Sequence, residues 1–367
     1  MKSNGHKKLK VLVAMSGGVD SAVAAYLLKK EGHEVVGMTL RVHDDLERNR
    51  RLKSCCAPMD IGDAREVARV LQIPYYTVDM REEFHQRVMV PFAENYRNGK
   101  TPNPCVLCNQ DLKFGLLYQR AKALGMAYVA TGHYARLKRK EKNERIQLLK
   151  GRDVSKDQSY FLFSLDQNQL AHMLLPLGDL TKKEVRKIAR DAGLPLANKA
   201  ESQEICFVPD NQYAKVVEKI IPNKNQDDVE GKIVNEWGEI LGTHKGIHYF
   251  TIGQRKGLGL SYPEPLYVLR IDPSLKRVVV GPESSLGQKE FLVEKVHWIS
   301  QNKEEVLPGT ILVKIRSHHH EKPATIFPLA NQKVQVVFEE PQRAIAPGQA
   351  AVFYCQDEVL GGGWISR

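Results

Sequence analysis

Nowhere does the chain carry an apolar run approaching the ~18 residues that a membrane-spanning helix needs, so no membrane partner is expected. The opening stretch, MKSNGHKKLKVLVAM, is basic, but its apolar part is too short for a secretory signal and leads straight into a strand-like segment. A cytoplasmic location is therefore expected. Cysteine is scarce, at 6 in 367 residues, which makes thiols, ligands or catalysts the expectation over a disulfide framework. The pattern GxxxxGK(S/T) is missing, which excludes the kinase-type phosphate loop. There is neither an internal repeat nor a low-complexity tract, so solenoids and long disordered linkers are not expected.

What is present is ordinary globular material, 42% apolar and 26% charged, with a surplus of cations that leaves a net charge of +11. At ~100–200 residues per domain the length implies two or three domains. A positive balance of this size fits an anionic partner, nucleic acid first, although surplus lysine on a solvated surface would give the same total. The cluster RLKRKEKNER (136 to 145) reads as an exposed hairpin or loop.

The first half alternates strand-like and helix-like segments. KVLVAM, EVVGMTL, PYYTVDM and MAYVATGHYA read as strands. VDSAVAAYLLKKEG, with Val19, Val23, Tyr26 and Leu27 on one face, reads as a helix that stops at Gly32. GDAREVARVLQI and DLKFGLLYQRAKALG are further helices, and TKKEVRKIARDAGLP opens on the capping pair Thr181 and Glu184. Such alternation implies an α/β domain with a mostly parallel sheet. Beyond about residue 230, short β-rich runs cut by Gly and Pro predict a small barrel or sandwich. The predicted domains are 1–212, catalytic; 213–272, a mixed adaptor; and 273–367, a C-terminal β-barrel.

The most informative stretch is MSGGVDS (15 to 21), between the first strand and the first helix. Gly17 and Gly18 allow a sharp turn and close approach to a phosphate, and the helix N-terminus offers N–H donors to the anion. Ser16 and Ser21 can add hydroxyl donors, and Asp20 can orient Mg²⁺ or the loop itself. A second stretch, TPNPCVLCN (101 to 109), sets Cys105 and Cys108 three positions apart. That spacing suits zinc, a redox disulfide, a metal cluster or a sulfur-handling thiol. No further ligands follow Cys108 at finger-like spacing, which argues against a structural zinc module.

Several stretches occur in order: SGGVDS, TPNPCVLCN, ATGHYAR, KDQSYFL, ESQEICF, TIGQRKGLG and PGQAAVFY. Together they give the chain a resemblance to the tRNA-specific 2-thiouridylases, ATP-dependent tRNA-uridine sulfurtransferases of the pyrophosphatase-loop superfamily. The resemblance covers nearly the whole chain. It implies an adenine nucleotide alpha hydrolase-like catalytic domain, an adaptor and a tRNA-binding β-barrel. It implies ATP and Mg²⁺ as cofactors, with tRNA as substrate and a cysteine desulfurase or sulfur-relay protein as donor. The chemistry would adenylate the uracil 2-oxygen and replace it with sulfur carried as a cysteine persulfide, releasing AMP and pyrophosphate.

Residue by residue, Cys108 matches the family's nucleophile and Cys206 the persulfide carrier, and the resemblance implies a disulfide between the two after transfer. Ala14, Met15, Ser16, Gly17, Gly18, Val19, Asp20 and Ser21, with Leu40 and Gly132, match the ATP contacts. Asn103, Pro104 and Cys105 match the segment facing the target base. His133, Lys156, Asp157, Gln158, Arg316, Ser317 and Gln349 match tRNA contacts. Cys105 stands where many members have Asp, and Cys55 and Cys56 form an extra pair. Cys105, Cys108 and Cys206 could together hold a 4Fe–4S cluster with one iron open, against the rival of metal-free persulfide chemistry. The three histidines of SHHH (317 to 320) read as an exposed strand end or loop, because neighbouring side chains on a strand point to opposite faces. Cys355 reads as strand core. The alternative to sulfur transfer is a small-molecule adenylating ligase with the same loop.

Overall fold

A computed structural model describes residues 8–43, 58–139, 145–200, 205–222, 229–299 and 309–366. Cys55 and Cys56, the tip of the basic hairpin and residues 201 to 204 of ESQEICF lie outside them. The chain divides into two compact units, one of Met1–Arg87, Cys105–Pro209 and Asp357–Val359, the other of Val88–Pro104, Asp210–Gln356 and Leu360–Arg367.

In the first unit, β1 (Lys10–Ala14), β2 (Glu34–Arg41), β3 (Tyr75–Asp79) and β4 (Tyr128–Ala130) form a parallel sheet. An antiparallel hairpin, β5 (Ala135–Arg139) and β6 (Ile146–Lys150), follows, and β7 (Met173–Leu174) completes the parallel sheet in the order β3-β2-β1-β4-β7. Val11, Leu12 and Val13 have no exposed surface, as expected of a central strand covered on both faces. Helix α1 (Val19–Lys30) buries Ala22, Val23, Ala24 and Ala25, and its small side chains let it pack against the Lys182–Asp191 helix. Helix α2 is Pro58–Val70. Thr181 and Glu184 form the anticipated reciprocal cap. The strand order reverses at β1 and β4, and in an open parallel sheet the crevice beyond the strand ends at such a point is where ligands bind.

Two helical and strand boundaries differ from the sequence reading. The helix expected from Asp111 starts earlier, at Pro104, and passes through a π-helical stretch, Cys108–Leu116, before Leu117–Ala123. A Cβ at Gly115 would lie 2.9 Å from the Gln110 carbonyl oxygen, so glycine suits the widened turn. MAYVATGHYA is not one strand. It breaks over residues 131–134, because β4 ends at the sheet margin and the chain turns there into the hairpin.

In the second unit, β8 (Gly231–Val234), β9 (Ile240–His244), β10 (Tyr267–Asp272) and β11 (Arg277–Gly281) form a four-stranded sheet around Ile233, Val268, Val278 and Val280. The strands β12 (Gly287–Trp298), β13 (Gly309–Lys314), β14 (Lys322–Leu329), β15 (Lys333–Arg343), β16 (Ala350–Cys355) and β17 (Glu358–Ile365) follow. They pair in the order β12-β15-β14-β13-β16-β17, and β17 pairs back with β12, closing a barrel. Phe291, Val313, Val336, Phe338 and Phe353 fill it. Closure removes the open edges that a sheet of this kind would expose. Cys355 corrects the sequence reading: as the last residue of β16 it is exposed, not core.

Candidate active site

The glycine-rich loop joins β1 to α1 at the reversal point of the sheet. Gly17 sits at φ +69°, and a Cβ there would collide with the backbone of Asp60 on α2. The Ser21 hydroxyl accepts from the Ser16 N–H at 3.2 Å and donates to the Gly18 carbonyl at 3.1 Å, so the loop is closed on itself. Leu40 lies buried near the end of β2. Beside it the Thr39 hydroxyl donates to the Met15 carbonyl at 2.6 Å, tying β2 to the loop.

Gly132, on the turn after β4, packs directly on this loop. A Cβ at that position would meet Asp20 C at 2.7 Å and Ser21 N at 2.8 Å. The space denied to a side chain at Gly132 is thus filled by the loop's own backbone. Next to it, the Tyr134 hydroxyl donates to Asp20 Oδ1 at 2.8 Å, and the Lys182 ammonium bonds both Asp20 oxygens at 2.7 and 2.8 Å. Asp20 is therefore engaged in fixing the loop. On the other flank, Lys199 Nζ donates to the Gly17 carbonyl at 2.8 Å and pairs with Asp60 and Asp63. Burial works against the Lys199 charge, but hydrogen bonds to Asp60 and Asp63 outweigh it and hold its pKa above the usual lysine value. Lys182, Lys199, Tyr134, Asp60 and Asp63 were not singled out from sequence. Lys182 stood beside the capping pair, Tyr134 within ATGHYAR and Asp63 within the predicted GDAREVARVLQI helix, but none of these stretches pointed to a contact with the loop.

The cysteines are set on neighbouring elements. Pro104 opens the helical run that carries Cys105 and Cys108 in its first turns, where an i, i+3 spacing puts both on one side. Cys105 is exposed, and Cys108 is half-buried. The following Asn109 is buried, donates to the Phe161 carbonyl at 3.2 Å and accepts from Lys113 at 3.0 Å, which anchors this turn. Half-buried Cys206 precedes Phe207, whose ring meets Phe84 edge-on with centroids 5.5 Å apart. Phe84 ends the short Arg81–Phe84 helix, which packs against the π-helical stretch that starts at Cys108. The fold thus brings the Cys206 segment and the Cys108 helix onto a shared neighbour, although 98 positions separate them by their numbers.

Among the described residues, no three His, Cys, Asp or Glu side chains gather so as to hold a metal ion. The cysteine trio in this arrangement does not fit a cluster. The loop carboxylates Asp20, Asp60 and Asp63 are each held by a lysine.

The remaining predicted contacts divide by unit. In the first, His133 is half-buried, with Nδ1 2.8 Å from the Thr131 hydroxyl. Desolvation, reinforced by Lys113, pushes its pKa well below the ordinary value, so the ring is neutral at neutral pH. Asp157 Oδ1 accepts from the Gly151 and Ser159 N–H groups, and Gln158 accepts from the Tyr134 N–H at 3.0 Å. Both serve the backbone, leaving half-buried Lys156 as the cation of that trio. In the second unit, Arg316 and Ser317 lie half-buried past β13, with Arg316 donating to the Arg343 carbonyl at 3.0 Å. His318 and His320 are exposed, as expected, whereas His319 turns in and lies 3.1 Å from Gln342 Oε1. Gln349 Nε2 donates to the carbonyls of Thr101 and Pro102 at 3.1 and 3.3 Å, and Thr101 N–H donates to the Pro347 carbonyl at 2.7 Å. The barrel turn 347–349 therefore holds the residues just ahead of buried Asn103 and Pro104.

Residues 9–210 match the tRNA methyl transferase HUP domain, 215–282 the tRNA methyl transferase PRC-barrel domain and 288–365 the aminomethyltransferase beta-barrel domain. The chain is 48% identical over 366 residues to the tRNA-specific 2-thiouridylase MnmA of Geotalea uraniireducens (strain Rf4), covering 99% of this chain and 96% of that one. It is 47% identical over 360 residues to the protein of the same name from Geobacter metallireducens, covering 97% and 96%. Among solved structures, the NMN synthetase from Francisella tularensis aligns with a TM-score of 0.33 and 18% identity over 58% of this chain and 77% of that one, a likeness too slight to bear on activity.

Proposed function

As the chain belongs to the tRNA-specific 2-thiouridylase family, we propose that it catalyses ATP-dependent 2-thiolation of the wobble uridine of tRNA. The observation that carries this reading is the match to named relatives over 99% of the chain, with the SGGVDS loop and both candidate sulfur cysteines in the same unit. The triphosphate would lie against the N–H groups at the start of α1. The uracil 2-oxygen attacks the α-phosphorus, a P–O bond forms and pyrophosphate leaves. The terminal sulfur of a Cys206 persulfide then attacks C2, and AMP departs with the oxygen. The Cys108 thiolate attacks the Cys206 sulfur, the S–S bond to the uridine sulfur breaks, and 2-thiouridine is released beside a Cys108–Cys206 disulfide. A cellular thiol reduces that pair before the next sulfur is loaded.

In this scheme Asn103, Pro104 and Cys105 face the base, and His133 meets the tRNA as a neutral ring. Mg²⁺ would arrive bound to the triphosphate, and no step is routed through a metal or a cluster. The sulfur donor is a persulfide-carrying enzyme or relay protein, and the setting is the cytoplasm, consistent with no described helix being long and apolar enough to cross a membrane. Mass spectrometry of tRNA from a deletion strain carrying this chain tests the reading. Restored 2-thiouridine supports it, whereas ATP cleavage to AMP and pyrophosphate without tRNA and with no thiolation would favour the adenylating ligase.

A further inference from the structure

A flat trans peptide points its carbonyl and its N–H in opposite directions. The peptide between Gly17 and Gly18 has its carbonyl fixed by Lys199 Nζ at 2.8 Å, and the next one, Gly18 to Val19, by the Ser21 hydroxyl at 3.1 Å. Fixing those oxygens aims the Gly18 and Val19 N–H groups the other way, as two adjacent donors at the head of α1. Lys199 is itself set from two sides. Asp60 and Asp63 on α2 hold its ammonium, and Arg186 of the Lys182–Asp191 helix donates to the carbonyls of Ala197 and Lys199 at 3.2 and 3.3 Å. That same helix contributes Lys182 to Asp20.

We infer that Lys199 is a positioning residue for the ATP step: by holding the Gly17 carbonyl it orients the Gly18 N–H toward the nucleotide phosphates. Asp60 and Asp63 keep the ammonium on the loop carbonyl instead of on the incoming phosphate. Lys199 acts through the peptide, and an exposed lysine elsewhere on the surface cannot replace it. The inference rests on the reading of SGGVDS as the ATP loop.

The test is equilibrium binding of ATP and of pyrophosphate, with ATP steady-state kinetics, on wild type, Lys199→Met, Lys199→Arg, Asp63→Asn and the exposed control Lys183→Met. Wild-type binding is measured first. Its absence overturns the ATP-loop reading itself, separately from the role of Lys199. Given wild-type binding, Lys199→Met is expected to raise the Kd for ATP and pyrophosphate and the ATP KM by about ten-fold or more, a loss of ~1.4 kcal/mol per ten-fold. The KM for tRNA and the thermal midpoint should stay close to wild type, Lys199→Arg should recover part of the loss, and Lys183→Met should change nothing. Should Lys199→Met fail to fold, Asp63→Asn keeps the lysine and loosens its tether, and it is expected to weaken ATP binding by a smaller factor. Unchanged ATP and pyrophosphate binding in Lys199→Met, or in Asp63→Asn where the first variant does not fold, overturns the inference. So does equal weakening by Lys183→Met.

Discussion

Replacing Gly132 with alanine asks whether the loop's position matters to the chemistry. The added methyl would lie 2.7 Å from Asp20 C, 2.8 Å from Ser21 N and 2.9 Å from Asp20 Cβ. Two of these are backbone atoms and cannot swing aside. To reach an ordinary contact of 3.4 Å, the head of α1 must retreat from β4 by roughly 0.7 Å. Overpacking of this kind costs about 1–3 kcal/mol. The shift falls on the N–H groups that would bind phosphate, and a displacement near 1 Å costs on the order of 10²-fold in rate. Gly132→Ala should therefore lower kcat/KM for ATP by about 10- to 100-fold, equivalent to ~1.4–2.7 kcal/mol. Chemical denaturation should show a stability loss in the range above.

The assay pairs pyrophosphate release with denaturant melts, and Gly62→Ala serves as its control. Gly62 lies in α2, where an added Cβ meets nothing within 4 Å, so alanine should be neutral or stabilising by up to ~1 kcal/mol. If Gly132→Ala keeps both its stability and its ATP kinetics within about two-fold of wild type, the reasoning from the loop contact is refuted.

Cys108→Ser and Cys206→Ser should each abolish 2-thiouridine while leaving tRNA affinity within a few-fold; normal thiolation by either variant removes that cysteine from the mechanism. Gln349→Ala loses its bonds to the Thr101 and Pro102 carbonyls and should cost about 1–3 kcal/mol at ~0.5–1.5 per bond, read by denaturant melts, with slower thiolation. Affinity for tRNA should fall by about 10³-fold or more between ~50 and ~200 mM salt if six or more phosphates are contacted, with a shallower slope in Lys156→Ala and Arg316→Ala; a flat response counts against cationic docking. Desolvation lowers the pKa of His133, His244, His248 and His319, so each is neutral in the fold and more readily protonated in the unfolded chain. Their contribution is complete above ~6.5 and is lost as pH falls through the depressed folded values, so the melting temperature should drop on acidification below ~6.5; an unchanged melting temperature down to pH ~5 contradicts this.

The sheet was legible because KVLVAM and EVVGMTL carry continuous apolar runs, and a central parallel strand needs them. The loop was legible because its glycines, serines and aspartate are contiguous. What escaped depends on distance along the chain. Lys182 meets Asp20 across 162 residues, and Lys199 meets Asp60 across 139, so periodicity and local motif carry no trace of either pair. The π-helical stretch after Cys108 escaped for a different reason. Residues 108 to 116 have ordinary helical composition, and the widened turn is supported by Gln169, which donates to the carbonyls of Gln110 and Phe114 from another element. Cys355 was misread because the first five residues of β16 are all buried and the run AAVFYC reads as continuous core, whereas Cys355 is the strand's last residue, at the turn before β17, and is exposed.

Those hidden pairs bear on why the loop is built as it is. Ion pairs removed from water contribute little net stability, because the desolvation of both charges offsets most of their attraction. The Lys182 side chain is 11% exposed, yet it is spent on a loop aspartate and not on a surface partner. Stability alone does not account for that placement, since an apolar contact would serve it as well. A phosphate site needs donors already aimed before the ligand arrives, so that no reorganisation is required when charge develops. Lys182 and Tyr134 fix Asp20, Lys199 fixes Gly17, and Gly132 closes against Asp20 and Ser21. These constraints reach the loop from three separate stretches of chain: the turn after β4, the start of the Lys182–Asp191 helix and the segment beyond that helix. A single substitution should therefore misaim the donors by a fraction of an ångström and not unfold the sheet, which is why the ATP kinetics, more than the melting temperature, report on this part of the molecule.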